Sequence, residues 1–101
     1  MKMLLTVAIP HEPFNTLVRN GSAGKILGQI LEAMKPEAAY FTEQDGTRGG
    51  FFVVNVQNAS DVPKFAEPFF LKFQGDCKFR ILMSPEDLQK AGLEQLGKTW
   101  G

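Results

Sequence analysis

At 101 residues the chain is the size of one domain, and residues 1–101 are read as a single unit. Hydrophobic residues make up 44% of it and nine are Phe, enough apolar side chain to offset ordering entropy without metal or disulfide staples, which excludes disorder. Eleven Lys and Arg balance eleven Asp and Glu, and the balance repeats on either side of Gly50, so there is no basic stripe to bind nucleic acid.

The opening MKMLLTVAIP alternates as a strand over Met3–Ile9, with Met3, Leu5, Val7 and Ile9 on one face and Leu4, Thr6 and Ala8 on the other. Its apolar run stops at Pro10 with no small-residue cleavage site, so a strand is expected there and not a signal peptide. No stretch approaches the ~20 apolar residues of a membrane span, and no membrane partner is expected. From Glu12 to Lys35 apolar residues recur at helical spacing: Phe14, Leu17 and Val18, then Leu27, Ile30, Leu31 and Met34. Gly21, Ser22 and Gly24 predict a break, with Ser22 capping the second segment, and Pro36 ends it.

Ala38–Glu43 and Gly50–Val56 are β-prone runs around QDGTRGG, where Asp45-Gly46 signals a hairpin. Ser60 reads as the cap of an amphipathic helix carrying Val62, Phe65, Ala66, Phe69, Phe70 and Phe73, and Pro68 inside it predicts a bend or restart. Cys77–Met83 alternates again, with its odd positions toward the core. Ser84-Pro85-Glu86-Asp87 is a helix start with a hydroxyl cap and acids in the first turn, opening a short tail helix with Leu88, Leu93, Leu96 and Trp100.

The order strand–helix–strand–strand–helix–strand is that of a ferredoxin-like α+β fold. Right-handed crossovers place both helices on one face of a four-stranded antiparallel sheet. The bare face then carries Leu4, Ala8, Phe51, Val53 and Leu82, a patch that a two-fold partner would cover, so a homodimer is expected; the tail helix is the rival cover. The single Cys77 cannot form an internal disulfide, which fits a reducing cytoplasmic setting.

The stretches HEPF (His11–Phe14), PEAAYFTEQDGTRGGFFVVNV (Pro36–Val56), EPFF (Glu67–Phe70) and MSPEDL (Met83–Leu88) resemble the dimeric α+β barrel superfamily, and within it a small family of short bacterial proteins of unassigned activity. The resemblance spans nearly the whole chain. It implies two ferredoxin-like sheets facing each other across a shared barrel. It does not single out a chemistry, because the superfamily holds cofactor-free monooxygenases, muconolactone-type isomerases, haem enzymes and stress-related proteins.

His11, the only histidine, lies where the first strand turns into the first helix, a place for an acid or base at neutral pH or for a plain turn residue. One His and one Cys far apart give no metal-ligand spacing, so no metal and no cofactor are expected. Cys77 reads as a small core hydrophobe and not a nucleophile. Arg80 points into the expected barrel, where its charge needs a protein carboxylate or an anionic ligand. Tyr40 and Asn55 face the same interior or satisfy strand ends. Glu67, before Pro68, either serves a bent backbone or pairs with His11 or Arg80. Most of the second helix's phenylalanines are core; Phe69 is the candidate to line a pocket.

His11, Tyr40 and Arg80 are thus the candidate catalytic residues, and Asn55, Glu67 and Phe69 the candidate ligand-pocket residues. Two readings stay open. One is a dimer that binds a small organic molecule, with cofactor-independent monooxygenase- or isomerase-like chemistry as its enzymatic form. The other is a non-catalytic dimerising module.

Overall fold

A computed structural model describes all 101 residues. Alternating apolar residues make β1 (Lys2–Ile9) the centre of the sheet: Leu5, Val7 and Ile9 are buried and the intervening positions half-covered. Pro10 ends the strand, and α1 (His11–Arg19) and α2 (Ala23–Met34) follow. They are separate helices, as the glycines predict, and Ser22 takes the N-cap position of α2, but its side chain makes no cap bond: its hydroxyl and its backbone N–H both donate to Asn20 Oδ1, at 2.6 and 3.0 Å. Lys35 closes α2 in the left-handed region at φ 46°.

β2 (Ala38–Gln44) and β3 (Thr47–Asn55) form the expected hairpin. Asp45 and Gly46 both take positive φ, 52° and 84°, the pair of values a two-residue turn of this hand requires. Thr47–Gly49, read from sequence as turn, are strand, so the ladder reaches the turn.

Helix α3 (Val62–Phe73) differs from expectation at both marked points. The cap is not Ser60. A single 3₁₀ turn over Ala59–Asp61 precedes the helix, closed by Asp61 accepting the Asn58 N–H at 3.1 Å and donating its own to the Asn58 carbonyl at 2.9 Å. Pro68 does not restart the helix, which runs through it. The helix forgoes one hydrogen bond there, while Ala66, Phe69 and Phe73 bury its inner face on both sides of the proline. Phe70, counted in that stripe, is exposed.

β4 spans Asp76–Ile81, shorter than predicted; Ile81 and Met83, expected toward the core, are 62% and 65% exposed. The reason is that the helix layer stops short of them. The tail is two helices, α4 (Pro85–Lys90) and α5 (Leu93–Trp100), broken at Gly92 with φ 71°. Ser84 and Asp87 form the reciprocal cap at 3.0 and 3.1 Å, as read. The tail covers no part of the sheet, and none of its residues is buried.

The strands lie in the order β2-β3-β1-β4, all neighbours antiparallel, with α1, α2 and α3 on one face: a ferredoxin-like α+β fold. The core between sheet and helices centres on Leu5, Val7, Phe52, Val54, Phe69 and Phe73. No helix is long and apolar enough to cross a membrane.

Candidate functional site

At the hairpin end of the sheet, on the helix side, the core stops short and leaves a cleft of about 500 Å³. The ladder sets its polar side. Ile9 faces Arg48 across β1 and β3, and Arg48 faces Glu43 across β3 and β2. Two ladder positions inward, on the same face, Gly50 separates Val7 from Phe41. Ile9, Phe14, Leu27 and Phe41 form the apolar wall, and His11, Glu43 and Arg48 the polar rim.

Each rim residue is held differently. His11 is exposed at the first position of α1. Glu43 Oε2 accepts the Gly46 N–H at 2.8 Å, tying the carboxylate to the turn. The Arg48 guanidinium lies over the Phe14 ring, 4.7 Å from its centre, and donates to Asn15 Oδ1 at 2.7 Å. Glu43 and Arg48 are cross-strand neighbours, yet neither is among the chain's three ion pairs, Lys2–Glu37, Arg19–Glu12 and Lys64–Asp61. The guanidinium is therefore oriented without being neutralised. A cation and an imidazole above an aromatic wall suit a flat ring bearing an anionic oxygen, and the Glu43 carboxylate can accept from a hydroxyl on it.

Glu12, beside His11, serves the helix. Its carboxylate accepts from the Thr16 hydroxyl at 2.8 Å, the Thr16 N–H at 3.0 Å and Arg19 at 3.3 Å, and these bonds, the Thr16 hydroxyl's first, hold it below the usual glutamate pKa.

The other candidates lie apart from the cleft. On the helix-free face Tyr40 stands opposite Phe51, 68% exposed, and Arg80 stands opposite Leu4 without a carboxylate partner in its own chain. Their strands are the two edges of the sheet, ~14 Å apart at ordinary strand spacing. Within one chain His11 meets neither. Asn55, opposite Lys2, accepts from the terminal ammonium of Met1 at 3.1 Å. Glu67 is exposed along a groove between α2 and α3 and pairs with neither His11 nor Arg80. Phe69 is sealed in the core, 5.6 Å from the Phe52 ring and 6.4 Å from Phe73, and faces no cavity.

Cys77 is half-buried, its Sγ 3.9 Å from the Ala66 carbonyl; burial, and then the Asp76 carboxylate, push its pKa to about 11. No three His, Cys, Asp or Glu side chains come together in a way that could hold a metal ion.

In the sequence Glu43 and Arg48 belong to the same polar set as Tyr40, Asn55, Glu67 and Arg80, but no motif there marks them as the site's own residues. The turn contained the signal: a two-residue hairpin at Asp45-Gly46 pairs Gln44 with Thr47 and hence Glu43 with Arg48. That Phe14 lies beneath Arg48 required the packing of α1 on the sheet.

No family model and no curated protein matches the chain. Among solved structures it is similar to 5-chloro-2-hydroxyhydroquinone dehydrochlorinase (TftG) from Burkholderia phenoliruptrix AC1100, in complex with 2,5-dihydroxybenzoquinone, with a TM-score of 0.59 and 17% identity. The match covers 85% of this chain and 97% of that one, and at this identity it shows the fold.

Proposed function

We propose that the protein is a homodimeric α+β barrel that binds a small, ring-bearing organic anion in the cleft beneath the hairpin. The observation that carries this reading is the un-neutralised Arg48 guanidinium set over Phe14 at the rim of a cleft walled by Ile9, Leu27 and Phe41. The dimer is supported by the helix-free face, where Leu4, Ala8 and Val53 are half-covered and Phe51 is exposed. The similar fold that carries a dihydroxybenzoquinone supports the ligand class. The chemistry such a site suits is cofactor-independent proton transfer on an aromatic or carbonyl compound, which completes an isomerisation and is the opening deprotonation of a monooxygenase reaction in which dioxygen is the co-substrate. His11 moves the proton and Arg48 stabilises the oxyanion.

The unpartnered Arg80 favours a second location for the anion, between the two sheets, where Tyr40 also points. Titrating the ¹⁵N-labelled protein with 2,5-dihydroxybenzoquinone and with simple phenolates and benzoates separates the two. The cleft reading expects saturable shifts at Phe41, Arg48 and Gly49. Shifts confined to Leu4, Tyr40 and Arg80 move the site to the barrel interior, and no saturable shift at millimolar ligand overturns small-molecule binding and leaves a non-catalytic dimerising module.

A further inference from the structure

The tail beyond β4 stands clear of the rest of the chain. The molecule measures 60 × 27 × 20 Å with a radius of gyration of 17.1 Å. A compact chain of this length has a radius of about 13 Å, so the difference reflects a projecting arm. Its helices are short, Pro85–Lys90 and Leu93–Trp100, well under the ~12–15 residues at which an isolated helix becomes even marginal in water. Helices of this length hold when an apolar face is packed. These have such a face: Leu93, Leu96 and Trp100 follow the i, i+3, i+7 spacing of one side of α5, with Leu88 on α4. Nothing in the chain covers it, and Trp100 is 82% exposed.

We propose that this arm packs on a second copy of the chain, each subunit embracing the other. Three observations choose that occupant. Leu88, Leu93, Leu96 and Trp100 are all exposed, and together with Leu4, Phe51 and Val53 of the helix-free face they extend the apolar surface toward the ~800 Å² per partner of a standard interface. The chain leaves β4 one residue after Arg80, which stands opposite Leu4 on the helix-free face, so the arm begins at the edge of that face. The arm's charges are mixed, with Lys90 and Lys98 interspersed among Glu86, Asp87 and Glu94, which gives no polyanion or acidic-surface preference. The inference rests on the homodimer proposed above and adds the segment that locks it. A two-fold axis makes the exchange reciprocal.

Trp100 is the only tryptophan, so its emission reports the arm alone. The test follows emission and acrylamide quenching of the full chain across a dilution series whose mass is tracked by sedimentation, beside Leu93→Ser/Leu96→Ser. Both leucines are exposed in the single chain, so the variant keeps its core. The expected result is a blue-shifted, shielded tryptophan in the dimer that becomes fully quenchable on dilution, and at least tenfold weaker self-association in the variant. A dimer with Trp100 fully quenchable, or a variant that associates like wild type, overturns the arm and leaves the sheet-face dimer standing. Equal shielding in monomer and dimer means the arm folds on its own chain and overturns the proposal. A monomer at every concentration overturns arm and homodimer together.

Discussion

The Arg48 guanidinium carbon stands 4.7 Å from the centre of the Phe14 ring while its Nη1 bonds Asn15 one residue further along α1. This pair ties the hairpin end of the sheet to the first helix and sets the direction of the cleft's cation. Replacing Arg48 by Met removes the hydrogen bond and the cation–π contact, with an expected loss of about 1–2 kcal/mol in urea unfolding. Arg48→Lys keeps the charge but not the planar fork, so it should recover part of the stability and little of the anion affinity.

Val53 is half-buried on the helix-free face, between Leu4 and Ala38 in register. Val53→Asp places a carboxylate where the second sheet is expected. Sedimentation should show self-association weakened by 100-fold or more, with far-UV circular dichroism retained. A variant that unfolds but stays dimeric in its folded fraction would reverse the assignment of the two faces.

Arg80 has no acid within its own chain, so Arg80→Met strands nothing there. The thermal midpoint is expected to hold or rise slightly. A fall equivalent to ~3–5 kcal/mol would reveal a carboxylate supplied by the other subunit, the usual loss on breaking a buried pair.

Gly49 sits at the cleft between Ala8 and Thr42, and a Cβ there would come within 2.7 Å of the Val7 carbonyl oxygen and of Gln44 Cβ. A backbone oxygen cannot swing aside as a side-chain tip can. Gly49→Ala should therefore cost ~1–3 kcal/mol by chemical denaturation and disturb the Arg48 amide, although it adds only one methyl group.

Burial raises Cys77 to about 11, so the folded state favours the neutral thiol. Its contribution to stability is fully present below the unfolded thiol's pKa and is lost as pH rises toward 11. Alkylation at pH 8 should run about 100-fold slower than for an unfolded control, the ratio of thiolate fractions. Cys77→Ser should remove that alkaline component of the stability profile.

Much of the fold was legible because several residues had only one good use. Asp45-Gly46 tolerates the two positive φ values the hairpin needs, Ser84 and Asp87 complete each other's cap, and the alternation of Leu5, Val7 and Ile9 admits one inward face. Legibility failed where local cost was outweighed by packing or by a better-placed competitor. Pro68 forfeits a single hydrogen bond, which the burial of Phe69 and Phe73 offsets, and the cap position of α3 passes from Ser60 to Asp61 because the 3₁₀ turn that Asp61 closes with Asn58 precedes the helix. At the site, His11 stood out by being the only one of its kind. Arg48 did not, since its meaning depends on Ile9, Glu43 and Phe14, contributed by three other elements.

The position of β1 has a consequence for how the chain comes off the ribosome. The first of the sheet's four strands in chain order is the one that ends between two neighbours, Leu5 pairing with Phe52 on one side and Phe79 on the other. While α1, α2 and the β2–β3 hairpin are being synthesised, Met3–Ile9 waits with both ladders open, and it can close the second only after β4 has emerged. Such pairings, far apart in the chain, are slow because loop closure comes before any reward. Once β3 has paired with it, this apolar strand still keeps one ladder open, and β4, though a mere edge in the finished sheet, is the element whose arrival closes it.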